Sequence, residues 1–412
     1  MNKRFLLYFL TFIIFKNLIA QLSSTHYLPP IYCKVDPKGA IGALELFIST
    51  PSDSSFYVKI YSGTNPNAID SIPISSSTSA KYSLGKALNA KNLITEAGQL
   101  NTPLDNGGLT LKAVSPFFAN IRGHSVNQGF SLTSKGKAAL GTSFRTGHML
   151  QGSHYTKDNK GLFSNFISVM ATKNNTKLRF SDFKKGVEFY GLDYTGKIKT
   201  MRTSVPLDVV LDEGQSFVIA QHGEDFDFKD ENKSFGSLVT SNKPIAVSIG
   251  SILATSPAGG AADVGLDQIV PVTGVGTEYI LMRGQGGNTL ERPVIVATED
   301  RTTLKINGTE HPRTLSAGES LILNGSSFSK AHNLHLQSSA PIYVYQTTAG
   351  SSSAATCGLN FVPPLNECAS ANRTFIPYTH FASGHVYLNI AAKTFAPINI
   401  IDANINKKLI TL

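Results

Sequence analysis

The chain has 412 residues, 41% hydrophobic and only 16% charged, with three cysteines and no tryptophan. Its formal charge of +9 at pH 7 is scattered along the sequence, without the basic stripe and interleaved aromatics that nucleic acid requires. Three unclustered cysteines make no zinc site, and the length suggests two to four domains or units.

Residues 1–20 read as a secretory signal peptide. Lys3 and Arg4 give a positive start, Phe5 to Phe15 is almost wholly apolar, and Asn17-Leu18-Ile19-Ala20 offers a cleavage point before Gln21. Lys16 interrupts the run before the about 18–20 apolar residues that a membrane anchor needs. No later stretch is long enough to span a bilayer, so the processed chain is expected to be secreted or at the cell surface, with no membrane span.

Beyond the leader, short runs rich in Val, Ile, Leu, Phe, Thr and Ser alternate with Gly, Asn, Asp, Pro and Ser clusters. Leu44–Thr50, Phe56–Tyr61, Phe166–Thr172, Ile245–Ile249 and Ile342–Gln346 are examples. This pattern predicts an all-β chain; only Ala87–Ala97 and Ser134–Leu140 allow short helices. Val169–Phe180 returns as Ile295–Ile306, Leu211–Phe217 as Leu315–Leu321, and Thr240–Val247 as Gln337–Val344. Three landmarks in one order mark a duplicated unit.

The repeat assigns local roles. Ala171–Thr176 and Ala297–Thr302 sit between apolar runs and predict β-hairpin turns, with Ser49–Ser54 an earlier copy. Leu-x-x-Gly-[Gln/Glu]-Ser predicts a tight turn with positive φ at Gly214 and Gly318. Pro244 and Pro341 are expected to open edge or first-strand positions. Leu109–Phe117 is the matching proline-containing strand of a more divergent copy. The expected division is 22–150, 151–285 and 286–380, with a partial fourth unit at 381–412. Tandem antiparallel β units follow, in a propeller-like or tandem-sandwich arrangement.

Several stretches carry a family resemblance. Thr25-His26-Tyr27-Leu28-Pro29-Pro30, Leu132-Thr133-Ser134-Lys135-Gly136, the Val169–Thr172 stretch, Ser237–Ile245 and Gly265–Val272 resemble the IgGFc-binding-protein-like N-terminal region of secreted Bacteroidetes proteins. Such proteins often continue into a gliding-motility-type domain for type IX sorting. Here the fourth unit stops at Leu412, which reads as a shortened member or a unit completed by another segment. The resemblance implies a fold and a surface location, and no residue in this chain points to immunoglobulin as ligand.

Candidates for chemistry are few. Cys357 and Cys368 bracket a short proline-containing loop and are expected to form a disulfide in an oxidising compartment, leaving Cys33 as a buried apolar residue. The ten histidines form no short metal-ligand motif, and His332 and His335 point to opposite strand faces. Gly284-Gln285-Gly286-Gly287 lacks the Lys-Ser/Thr and helix of a phosphate loop. Glu278, Glu291, Asp263 and Asp267 leave a glycosidase-type carboxylate pair open. Tyr343 and Tyr345 share one strand face and are a candidate ligand face, against the alternative of simple packing. The sequence therefore predicts a secreted or cell-surface binding and adhesion protein for an extracellular protein or polysaccharide, with no cofactor and no catalysis. The alternatives are a polysaccharide hydrolase with a site in inter-unit loops and a structural envelope stalk.

Overall fold

A computed structural model describes residues 21–32, 42–86, 90, 92–124, 129–147, 165–185, 187–192, 198–202, 206–221, 234–254, 263–348, 358–365, 390, 399–402 and 407–411. Residues 1–20, expected to be a signal peptide, Cys33, Cys357, Cys368 and most of the expected fourth unit lie outside them. Among the described residues no helix is long and apolar enough to cross a membrane.

The chain is all-β, and its core is three seven-stranded sheets of one topology. The first holds β1 (Ser23–Leu28), β2 (Ala43–Ser49), β3 (Phe56–Ser62), β4 (Asp70–Ile74), β5 (Ala80–Lys86), β6 (Leu109–His124) and β7 (Gly129–Thr133). The second holds β8 (Gly141–Arg145), β9 (Asn165–Ala171), β10 (Thr176–Ser181), β11 (Leu207–Leu211), β12 (Ser216–Ala220), β13 (Leu238–Ala254) and β14 (Asp263–Ile269). The third holds β15 (Gly276–Met282), β16 (Pro293–Ala297), β17 (Leu304–Ile306), β18 (Thr309–Glu310), β19 (Ser320–Ile322), β20 (Asn333–Thr348) and β21 (Gly358–Phe361). Strand order is β4-β3-β6-β2-β5 with β1 and β7 also on β6, and the same order recurs seven and fourteen strands later. Because β8 pairs with β13 and β15 with β20, the sheets divide ahead of Gly141 and Gly276 rather than at 150 and 285.

Each sheet is organised by its longest strand, which changes neighbours halfway along. Residues 238–241 of β13 lie between β8 and β10, whereas from Ile245 onward it lies between β9 and β14. The strand β20 switches likewise between Ser338 and Ile342, and β6 between Lys112 and Phe117. Each switch holds a proline: Pro116, Pro244 or Pro341. The expectation that these prolines open edge strands is corrected here. A residue without an N–H fits the middle of a central strand because the ladder is interrupted there anyway. Opposite it, the first strand of each sheet slips register, between Ser23 and Thr25, Gly141 and Ser143, and Gly276 and Glu278. Bulges of this kind bend and twist a sheet, and the two halves curl over one core. In the second unit that core joins Leu178 and Phe180 to Ile167, Val169 and Val247.

The halves also explain two kinds of strand sequence. In β2 burial alternates, as for a sheet with one wet face. In β9, β12 and β16 every residue is buried, because the outer side of that half packs on the preceding unit. Phe166, Val218 and Ala220 join the first core, and Tyr343 and Tyr345 join the second.

Two further expectations are corrected. The Ala171–Thr176 and Ala297–Thr302 turns do not close hairpins, since β9 and β10 pair with different halves of β13 rather than with each other; they arch between the halves. The expected helices reduce to single 3-10 turns at Ala97–Gln99 and Gly136–Ala139. Ile94–Thr95, inside the first of them, is extended and pairs in parallel with Ile31–Tyr32.

The Leu-x-x-Gly turns do have positive φ, +85° at Gly214 and +76° at Gly318. They also form the joints between units. A Cβ on Gly214 would lie 2.3 Å from the carbonyl oxygen of Gly63 in the first unit, and one on Gly236 would lie 1.8 Å from that of Gly318 in the third. Backbone meets backbone at both joints.

Candidate functional site

Three of the four carboxylates singled out in the sequence have partners within the fold. Asp267 takes an ion pair from Lys135 at 2.6 Å and accepts the amides of Gln268 and Phe361, each at 2.8 Å. Glu291 is buried and accepts the amides of Gly284 and Gly286 at 3.3 and 3.2 Å, so the glycine run is a carboxylate-bound turn. Glu278 pairs with His335 at 2.7 Å, and Asp263 stands opposite Ala254 at the start of β14. Among the described residues no three His, Cys, Asp or Glu side chains are grouped to hold a metal.

Tyr343 and Tyr345 do not form a ligand face. Both are 0% exposed, stacked at 6.1 Å between centroids with 5° between planes. Their hydroxyls donate to the carbonyls of Val270 at 2.8 Å and Arg145 at 3.4 Å. Burial pushes both phenols well above their ordinary range. The face they share is covered by the second unit, which no local pattern could announce.

Three of the five stretches that carry the family resemblance, those around His26, Ser134 and Asp267, converge on one buried polar cluster. His26, at 0% exposure, sets Nε2 against the carbonyls of Ser23 at 3.1 Å and Phe117 at 2.9 Å, and Nδ1 against the Ser134 hydroxyl at 2.9 Å. Two carbonyls can only accept, so Nε2 carries the proton and Nδ1 accepts from Ser134. Burial lowers the His26 pKa to about 4, keeping this neutral tautomer. Beside it, Gln268 accepts the Lys135 amide at 2.7 Å and donates to the Tyr27 carbonyl at 2.6 Å. The Lys135 ammonium reaches Asp267 and the Gln268 carbonyl, and lies 5.7 Å from the Phe361 ring centroid. Last strands of all three sheets are thus tied by side chains from the first and second. A buried, mutually bonded cluster of this kind fixes geometry.

What remains for recognition is the outer face of each half-sheet made by the first, third and fourth strands with the start of the long one. The shared register lets equivalent rows be compared. In the second sheet the row across four strands is Ser143–Thr240–Arg179–Asp208, and in the third Glu278–Gln337–Lys305–Glu310. Each ends in an ion pair, Arg179 to Asp208 at 3.3 Å and Lys305 to Glu310 at 3.7 Å. The same row of the first sheet is Thr25–Lys112–Lys59–Ser71. Two lysines stand directly opposite each other, and neither forms an ion pair among the described residues.

A family model described as "IgGFc binding protein" matches residues 131–409. No curated protein matches the chain. Among solved structures, a chain described as "Biofilm associated protein - BSP domain" aligns with 85% of this chain and 68% of its own length, at 8% identity and a TM-score of 0.16, a likeness too remote to carry an argument.

Proposed function

The chain belongs to the IgGFc binding protein family, and from that premise we propose that it is an exported binding module of the cell surface, recognising an extracellular protein or polysaccharide without catalysis. The observation that carries the proposal is the contrast between repeated interiors and divergent exteriors. The three sheets keep one topology, one switch proline each and one register, while the outer rows differ in charge and chemistry. A duplicated scaffold with variable faces suits presentation of a surface. Export by residues 1–20, the Cys357–Cys368 disulfide and the setting among secreted Bacteroidetes proteins are parts of the same proposal.

The test is binding of the protein to envelope proteins and polysaccharides of its own source across a salt series. Saturable binding that persists at about 0.15 M salt, where the Debye length is about 8 Å, is the expected result. Binding that vanishes with salt would reduce the reading to non-specific attraction and favour the stalk. Release of reducing ends from a polysaccharide, lost in Glu278→Gln, would replace it with the hydrolase.

A further inference from the structure

The outer face of the first sheet departs from its two internal counterparts at several positions, and the departures are of two kinds, in charge balance and in apolar surface. Lys112 stands where Thr240 and Gln337 stand, and Ser71 where Asp208 and Glu310 supply the neutralising carboxylate. Like charges directly opposite in a strand pair are destabilising, so this row is worse for the fold than either of its copies. Two residues further along the long strand, Asn242 accepts the Lys177 amide at 2.7 Å and Ser339 the Thr303 amide at 2.9 Å. The first sheet has Val114 there, 87% exposed and unable to accept. Beside it, Tyr57 is 60% exposed where the other copies have Lys177 and Thr303. Tyr61 replaces Ser181 and Asn307, and the Lys112 ammonium lies 5.5 Å from its ring centroid.

In the first sheet, then, Lys112 and Ser71 leave the cations of the row without a carboxylate, and Tyr57, Tyr61 and Val114 put ring and aliphatic surface where the other two sheets carry polar or charged side chains. Alternate residues of one strand face lie about 6.8 Å apart, so Tyr57, Lys59 and Tyr61 form a ring–cation–ring row with Lys112 alongside. Of the carboxylates near in sequence, Asp53 accepts from the Ser76 hydroxyl and Asp105 from the Gln215 amide, each at 2.7 Å, and Asp70 stands opposite Ile60 rather than in this row and bonds Tyr82. At the Tyr27 end, burial and then the charge of Glu213 from the second unit raise the Tyr27 hydroxyl.

We propose that this face, built from Tyr57, Lys59, Tyr61, Lys112 and Val114, binds an acidic polysaccharide of hexuronate type. The ligand chemistry follows from the juxtaposition. Flat rings and an exposed valine pack against the C–H face of a sugar, while two ammonium groups within the same row take carboxylates projecting from the sugar's edge. An acidic polypeptide would satisfy the lysines and leave the ring faces without a matching repeat. The inference rests on the surface-binding reading above and names the ligand class for one of its faces.

The experiment is affinity electrophoresis of the full-length protein in polygalacturonate, with dextran and poly-glutamate as comparison polymers. The variant Lys112→Thr/Ser71→Asp copies the row that the second sheet already tolerates, so it should fold, with a melting temperature equal to or above that of the parent. The expected result is retardation by polygalacturonate and not by dextran, weakened about tenfold in this variant and also in Tyr57→Ala. Unchanged retardation in the row variant, or none in the parent, would overturn the proposal. Equal binding of poly-glutamate, insensitive to Tyr57→Ala, would replace it with attraction of acidic polypeptides. Retention of salt-resistant binding to envelope material by the row variant would show that the surface-binding reading stands while this face is not its site.

Discussion

The hydroxyl of Thr172 donates to the carbonyl oxygen of Pro244 at 2.5 Å. Thr298 makes the same bond to Pro341 at 2.5 Å, and Thr50 to Pro116 at 2.8 Å. The threonine ends one half of each sheet, and the proline carbonyl marks where the long strand passes from one half to the other. The bond therefore latches the curl. Thr172→Val and Thr298→Val keep the shape and remove the hydroxyl donor from a partly buried carbonyl, although that of Pro341 keeps the Thr298 amide at 3.3 Å. Each is expected to cost about 1–2 kcal/mol, and the two should add, being in different units. Urea unfolding of the single and double variants checks this, and Thr→Ser at either site should restore most of the loss.

The joints between units predict a different sensitivity. Gly214→Ala and Gly318→Ala each force a side chain into a positive-φ position, at about 1–2 kcal/mol. The Cβ at Gly214 would also meet the Gly63 carbonyl at 2.3 Å, whereas the one at Gly318 meets the Gly236 carbonyl at 2.9 Å. Both should destabilise, Gly214→Ala more, and limited proteolysis should show the first and second units separating ahead of global unfolding. Protease resistance equal to the parent would show that the joint yields without parting.

Acid should weaken the fold through His26. Its folded pKa of about 4 lies below its ordinary 6.5, so the unfolded chain binds the extra proton between those values. The contribution is complete above about pH 6.5 and is lost progressively as pH falls toward 4, by up to about 3 kcal/mol. The second sheet carries Phe144 where the first has His26. His26→Phe should therefore be less stable at pH 7, for want of the bonds to Ser23 and Phe117, and should show a flatter decline between pH 6.5 and 4. Urea midpoints measured across that range give both slopes.

Lys135 and Asp267 form a buried pair that must be kept or removed as a pair. Lys135→Met strands a carboxylate that still accepts two amides, and is expected to cost about 3–5 kcal/mol. Asp267→Asn in the parent should cost less than Lys135→Met, because the amide oxygen still accepts one of those bonds. Thermal unfolding of the two variants ranks them directly.

The all-β class and the repeat were legible because strand alternation and matched turns are local. Gly214 and Gly318 could be assigned positive φ from their turn sequence alone. The role of Thr172 could not, since its partner is 72 residues away. Tyr343 and Tyr345 show the alternation of a strand with one free face, and only the neighbouring unit, packed over them, makes that face interior. Asp267 looked available because Lys135 is 132 residues distant. The lysine row of the first sheet becomes visible only when register aligns three strand sets whose sequences have diverged.

Where the chain enters each unit it also leaves. A Cβ on Gly141 would touch Pro271 at 2.3 Å, one on Gly276 would touch Pro364 at 2.7 Å, and one on Gly136 would touch Ser23 at 2.3 Å. Every unit is thus a closed excursion from a common thread, the arrangement in which insertion and excision of whole modules are tolerated. Gain or loss of a module keeps the chain ends together, but each core is completed by its neighbour, as Phe166, Val218 and Ala220 complete the first and Tyr343 and Tyr345 the second, so a module is exchanged only for one that presents the same buried face.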